Sequence, residues 1–196
     1  MSLFSFISSS KPLGSALWRG FADVHSHIIP GVDDGPQTME ESLEMIRIAY
    51  AGGVRRLVAT PHIREGWRTD AGILREKLHT VEQQVRQEGM LNLELSLAAE
   101  YMLDEVLMQQ LPDRNLLALP GNRLLVETSF YGPPMGVSEM FFKIQMHGYV
   151  PVLAHPERYD YYRTEAGAYR AFKEQGCLFQ LDLLSLQGAH GAKTRQ

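Results

Sequence analysis

The side chains best suited to chemistry fall in short clusters along this sequence. His25 and His27 are one residue apart in Asp23-Val24-His25-Ser26-His27. Side chains alternate faces along a β-strand, so the two imidazoles share a face about 7 Å apart along the chain, an arrangement that can grip one metal ion. The loop that follows, Pro30-Gly31-Val32-Asp33-Asp34-Gly35-Pro36, bends back over the strand end and carries two carboxylates. Its turn residues leave Asp34 open to two roles, metal ligand or solvated turn aspartate. His62 follows Ala59-Thr60-Pro61, where the proline ends a strand's ladder. Glu100 in Ala99-Glu100-Tyr101, Glu127 in Val126-Glu127-Thr128 and His155 in Ala154-His155-Pro156 each stand at the end of a further β-rich run.

One charged group ending a strand is commonplace; one on each of five successive strands is the pattern of an active site. Carboxylates held near one another are costly to bury unless a cation compensates, so Asp34, Glu100 and Glu127 imply bound metal. Mixed imidazole and carboxylate donors suit manganese, iron or zinc better than calcium. Arg158, just past His155, offers a planar fork matching phosphate oxygens; the competing role is a surface ion pair with Glu157 or Asp160. Cys177, the sole cysteine, reads as a small buried residue at a strand start. A cysteine phosphatase needs an arginine a few residues downstream, and Leu178-Phe179-Gln180-Leu181-Asp182-Leu183 supplies none. His79 falls on the polar side of a helix, His147 at a helix C-terminus and His190 in a tail, which leaves these three outside the site.

The elements that position these groups alternate. Strands are expected at Ala22–His27, Arg55–Thr60, Leu93–Ala99, Leu124–Thr128, Val150–Ala154 and Leu178–Leu183. Between them, Thr38–Ala51 has apolar residues at helical spacing, a capping box from Thr38 and Glu41, and a Gly52-Gly53 stop. Further helices are expected at Asp70–Gln87, Asp104–Gln110, Val137–His147 and Ala166–Gln175. Strand and helix in alternation imply an α/β fold with parallel strands. Polar residues at strand end after strand end favour a closed barrel, because an open sheet concentrates them at one switch point.

Composition narrows the function. The 196 residues are 44% hydrophobic and 21% charged, which suits one soluble domain with a real core, expected at 21–196 behind an arm at 1–20. A net charge of −4 provides no basic field for nucleic acid. A lone cysteine excludes an internal disulfide framework and points to a reducing compartment, the cytoplasm. The first twenty residues lack the basic start and sustained apolar run of a signal peptide or membrane span. An arm packing on the domain is expected there, with peripheral membrane contact through Phe4, Phe6, Leu13 and Trp18 the alternative.

His25-Ser26-His27, Pro30-Gly31-Val32-Asp33-Asp34-Gly35, Thr60-Pro61-His62, Ala99-Glu100-Tyr101, Glu127-Thr128-Ser129 and Ala154-His155-Pro156-Glu157-Arg158-Tyr159, in that order, resemble the PHP superfamily (polymerase and histidinol phosphatase). More closely they resemble the manganese-dependent tyrosine-protein phosphatases of bacterial capsule and exopolysaccharide loci, the CpsB/CapC type, from about Phe21 to Gly191. The resemblance implies a distorted (β/α)7 TIM-like barrel, about six of its strands being visible here, and a centre of two or three Mn2+ ions, with iron or zinc also compatible. By motif, it implies that His25 and His27 bind a first metal, Glu100 bridges two, Glu127 and His155 hold the second, and Asp34 and His62 hold the third. Arg158 takes the phosphate, so Arg158, His62 and Asp34 are the residues expected to serve catalysis.

The implied substrate is phosphotyrosine in the tail of a bacterial tyrosine autokinase that controls polysaccharide export, with any membrane contact made through that kinase. Family members continue past the segment like Leu183–Gly188 into another helix and a last strand bearing an Asp-x-His motif. The sequence reaches Gln196 before that motif, and the expectation is a domain incomplete at its C-terminus, lacking two ligands. Two alternatives follow: a small-molecule phosphoesterase of the superfamily, acting on a compound such as histidinol phosphate, or an inactive remnant that only binds.

Overall fold

Apolar runs and amphipathic stretches alternate along the chain, and in the computed structural model they become strands and helices in that order. The structure describes residues 20–67, 69–165, 167–186, 188, 190 and 191. The arm expected at residues 1–20 lies outside the described residues except for Gly20. The chain divides at Ala99/Glu100 into two compact units.

The first unit contains β1 (Ala22–Ser26), α1 (Met39–Ala51), β2 (Arg56–Ala59), β3 (His62–Ile63), α2 (Ala71–Gln87) and β4 (Glu94–Leu97). β1, β2 and β4 form a parallel sheet in that order. The β1–β2 register shifts between Asp23 and Ser26, an irregularity of the kind that re-aims a side chain at a strand end. Beyond it Ser26 is pinned, its N–H donating to Thr60 Oγ1 at 3.0 Å and its hydroxyl to Val58 O at 2.8 Å. Helix α1 starts where the sequence places its capping box: Thr38 Oγ1 accepts from Glu41 N, and Glu41 reaches back to Thr38 N. Its buried Leu43 and Ile46 face the core, and the buried Ser42 hydroxyl donates to Ile28 O at 2.5 Å, which fixes the chain leaving β1. In α2, Leu74, Leu78, Val81 and Val85 make one buried stripe, each contributing roughly 1.5–3 kcal/mol.

The second unit contains β5 (Glu100–Met102), α3 (Glu105–Gln110), β6 (Arg123–Glu127), α4 (Val137–Met146), β7 (Val150–Ala154), α5 (Asp160–Thr164), α6 (Ala168–Glu174), β8 (Leu178–Gln180) and α7 (Leu183–Leu186). Strands β5, β6, β7 and β8 are neighbours in that order, all parallel. Leu124, Leu125 and Val126 of β6 and Leu153 and Ala154 of β7 are fully buried. Such unbroken apolar runs mark strands covered on both faces.

The mixed α/β character and parallel strands agree with the sequence; several boundaries do not. The run expected as one strand at Leu93–Ala99 stops at Leu97, and Glu100 opens a separate strand rather than ending that one. Ala98 and Ala99 are small and fully buried, so the apolar pattern runs through the break with no turn residue to mark it. Likewise the run at Leu178–Leu183 is a strand only to Gln180 and is helical from Leu183. Helix α5 and the 3-10 turns at Leu111–Asp113 and Pro156–Arg158 are too short to leave a periodic signal.

Candidate metal centre

In the first unit, β1 and the loop after it assemble a histidine cluster. His25 Nε2 and His27 Nε2 lie 3.2 Å apart. Two nitrogens each about 2.1 Å from one ion stand roughly 3.0–3.4 Å apart at octahedral to tetrahedral angles, so the pair fits a shared cation. The other ring nitrogen of His27, Nδ1, donates to Asp33 Oδ2 at 2.8 Å, which leaves Nε2 as the lone-pair nitrogen. Asp33 also accepts the backbone N–H groups of Gly35 at 3.0 Å and His62 at 3.1 Å, with its side chain 1% exposed. Burial alone raises the Asp33 carboxyl's pKa, but these hydrogen bonds and the charge of His27 outweigh it and hold the group below the usual carboxylate range.

His62 stands beside both neighbours, its ring centroid 4.5 Å from that of His27 and its Nε2 3.4 Å from Asp34 Oδ1. The hydrogen bond to His62 also lowers the pKa of Asp34, whose side chain is 62% exposed. Donor atoms of His27, Asp34 and His62 all lie within 4.8 Å of one another. Asp34 thus stands beside the histidines with its side chain largely exposed.

In the second unit, parallel pairing of β5 with β6 sets Glu100 opposite Leu125 and Met102 opposite Glu127. Glu100 and Glu127 therefore project from the same face of the sheet, with carboxylate oxygens within 4.8 Å of each other. Glu100 Oε1 lies 2.9 Å from His155 Nε2, and Glu100, Glu127 and His155 are all buried. His155 has the left-handed backbone φ of 35°, sparsely populated for a non-glycine residue and typical of residues held in place for function. Two buried carboxylates sharing a face beside an imidazole fit a divalent cation in chemistry and in number.

Aromatic residues fix the rest of this unit's donors. The Phe130 ring stacks on His155 at 5.8 Å and carries the Arg158 guanidinium 4.7 Å above it. Thr128 N donates to the Tyr159 hydroxyl, Thr128 Oγ1 shares a 2.6 Å hydrogen bond with Tyr161, and Tyr161 donates to Ser129 O. These contacts tie down the segment after Glu127. Burial pushes the pKa of Tyr159 upward, so it stays a neutral phenol.

The structure also separates Arg158 from the carboxylates that competed for it. Asp160 pairs with Arg163, and Glu157 Oε1 accepts from Asp182 N and Ser185 Oγ. Cys177 is buried, and burial pushes its thiol up to about 12, far from the reactivity of a nucleophilic thiolate. His79, His147 and His190 have partners of their own, Glu82, Lys143 O and Asp182. Asp33 is the partner of a candidate ligand that spacing did not single out. Its signal was chemical: a ligating histidine needs an acceptor on its second nitrogen, and Asp33 is the first carboxylate after His27 in the sequence.

The family model for capsular polysaccharide synthesis, CpsB/CapC, matches residues 21–196. The chain belongs to the CpsB/CapC family. It is 31% identical over 175 residues to the tyrosine-protein phosphatase YwqE of Bacillus subtilis (strain 168), covering 88% of this chain and 68% of that protein. To the putative tyrosine-protein phosphatase CapC of Staphylococcus aureus it is 27% identical, covering 89% of this chain and 69% of the relative. To the tyrosine-protein phosphatase CpsB of Streptococcus pneumoniae it is 32% identical over 164 residues, with 82% and 66% covered. The chain thus spans about two thirds of the length of these CpsB/CapC relatives.

Among solved structures it is similar to one described with YwqE from Bacillus subtilis and CpsB from Streptococcus pneumoniae as unique metal-dependent tyrosine phosphatases. The TM-score is 0.82 at 30% identity, over 89% of this chain and 71% of that one. Among the described residues, no helix of this CpsB/CapC chain is long and apolar enough to cross a membrane.

Proposed function

We propose that this chain is a metal-dependent protein-tyrosine phosphatase of capsular or exopolysaccharide synthesis. Its substrate in this reading is phosphotyrosine in the tail of a bacterial tyrosine autokinase, met in the cytoplasm. The reading takes residues 21–196 as one hydrolase domain on a distorted (β/α)7 barrel. The observation that carries the chemistry is the convergence of His25 and His27 through Nε2 at 3.2 Å while Asp33 holds the far nitrogen of His27. The substrate class rests on family membership and on the names of the relatives.

His25, His27, Asp34 and His62 from the first unit and Glu100, Glu127 and His155 from the second are the proposed ligands, with Mn2+ the proposed metal. Bound divalent ions supply an acidified water for attack on phosphorus and positive charge for the phosphoryl oxygens. Asp33 fixes the tautomer in which His27 can ligate. Arg158, rigid on the Phe130 face, presents its fork to the equatorial oxygens of the phosphoryl group, and no phosphoenzyme is needed. Asp34 and His62 serve at the reacting group. Cys177 takes no part.

The test is hydrolysis of a phosphotyrosine peptide with and without Mn2+, beside histidinol phosphate, with metal content measured by mass spectrometry. Manganese-dependent release of phosphate from the peptide is expected. Preference for the small ester supports the phosphoesterase alternative, and peptide binding without turnover by metal-loaded protein supports the remnant.

A further inference from the structure

Two candidate ligands carry the same accessory stack. In the second unit His155 faces Phe130, and Arg158 lies over that ring at 4.7 Å. In the first unit His62 faces Trp67, with centroids 5.4 Å apart and planes 22° apart, and Arg64 lies over the indole at 4.1 Å. Arg158 has a proposed role; Arg64 has none so far.

Local backbone geometry builds the Arg64 stack. Arg64 and Trp67 pair across an antiparallel bridge, each N–H donating to the other's carbonyl at 3.2 and 3.0 Å. Gly66 at φ +86° lets the chain reverse within two residues. Residues opposite each other in such a bridge project from one face, which lays the guanidinium on the indole. The turn begins one residue after His62–Ile63, so the stack is anchored beside the histidine cluster of its own unit.

Three other arginines spend donors within the protein. Arg55 also rests on an aromatic ring, that of Tyr50, but its Nη1 donates to Tyr50 O and Val54 O. Arg47 engages Glu40, Glu44 and Glu88, and Arg123 donates to Pro120 O. Arg64 has no ion pair and no side-chain hydrogen bond among the described residues, although it is half-buried. A guanidinium stacked by its face keeps its edge of N–H donors open for a planar oxyanion.

We propose that Arg64, held on Trp67 two residues beyond His62, is a specificity-determining residue that binds an oxyanion of the substrate. That oxyanion is a phosphoryl oxygen or the carboxylate of an acidic residue flanking the phosphotyrosine. The choice of substrate rests on the phosphatase reading; the binding site itself does not.

The experiment is calorimetric titration of Mn2+-loaded wild type, Arg64→Gln, Trp67→Phe and Trp67→Leu with three probes. These are inorganic phosphate and two peptides carrying a non-hydrolysable phosphonate analogue of phosphotyrosine, one with acidic and one with neutral flanks. Arg64→Gln is expected to weaken binding about tenfold, the loss of one charge-assisted contact. Equal loss for all three probes assigns Arg64 to phosphoryl oxygens, and loss for the acidic peptide alone assigns it to flanking carboxylates. Trp67→Phe retains a face for the guanidinium and is expected to bind nearly as wild type, whereas Trp67→Leu follows Arg64→Gln. Unchanged affinity of Arg64→Gln for every probe overturns the proposal. So does a parallel fall in its bound manganese, which would make Arg64 a support for His62, or failure of wild type to bind any probe. If wild type binds the probes but hydrolyses no phosphotyrosine peptide, the phosphatase reading fails while the Arg64 comparison still decides the proposal.

Discussion

Asp33 Oδ2 stands 2.8 Å from His27 Nδ1, which fixes the proton on the side of the imidazole away from His25. An amide at position 33 removes that control, because its NH2 group facing Nδ1 favours the tautomer protonated at Nε2. Asp33→Asn is expected to lower manganese affinity about 10–100-fold, the usual cost of losing the carboxylate behind a ligating histidine. Titration of metal into apo-protein, with circular dichroism to verify the fold, measures this. Affinity equal to wild type would show that Asp33 does not set the His27 tautomer.

Gly35 tests the same loop sterically. A Cβ there would meet His27 O at 2.8 Å, and Asp33 Oδ1 and His27 Cβ at 3.0 Å. Backbone on one side and the hydrogen-bonded carboxylate on the other leave little room to yield. Gly35→Ala is expected to cost roughly 1–3 kcal/mol of stability, as overpacking does, and to weaken metal binding by displacing Asp33. Denaturant melts of the metal-free protein read the first effect and metal titration the second. A stable variant with wild-type metal affinity would mean that the loop is not held as the structure places it.

The candidate ligands stood out in the sequence because ligand chemistry restricts residue type. Histidines at spacing two, a carboxylate opening or ending a strand and a proline before His62 are local signals, and each residue so marked lies in one of the two clusters. The contacts behind the ligands were not legible. Asp33 and Asp34 look alike in a turn, and only the fold decides that one is buried against His27 while the other stays exposed beside His62. Trp67 and Phe130 are ordinary aromatics until a turn and a strand end lay them on His62 and His155. The strand pattern misled at Ala98–Ala99, where two small buried residues carry the apolar run past the strand's end at Leu97 with no turn residue to mark it.

Cys177 lies in a strongly apolar setting, and its thiol is pushed from 9.0 up to about 12 by burial. The thiol is therefore protonated at neutral pH, and Cys177→Ser is expected to leave turnover within about twofold of wild type, in line with chemistry that needs no thiolate. The sign of the pH effect on stability follows from the raised folded-state value. The neutral thiol's contribution is fully present below pH 9.0 and is lost as pH rises toward about 12, because the unfolded chain ionises first. The raised phenols of Tyr159, Tyr162 and Tyr169 act in the same direction above pH 10.0. Chemical denaturation from pH 8 to 11 should show falling stability in wild type and a shallower fall in Cys177→Ser. Equal slopes would place the thiol in contact with water.

Arg158 and Phe130 separate binding from assembly. The guanidinium rests on the ring 4.7 Å from its centroid, and the same ring stacks on His155, so in the proposed site Phe130 would serve both the anion and a ligand while Arg158 would serve the anion alone. Arg158→Lys keeps the charge but loses the bidentate fork and its stacking. It is expected to raise KM for a phosphotyrosine peptide about tenfold with bound manganese unchanged, the scale of one charge-assisted hydrogen bond. Phe130→Leu is expected to raise KM and also to lower metal content, because the support of His155 goes with the ring. Steady-state kinetics paired with metal analysis distinguishes the two. If Arg158→Lys lost metal as Phe130→Leu does, the arginine would be part of the scaffold of the centre instead of its contact with phosphate.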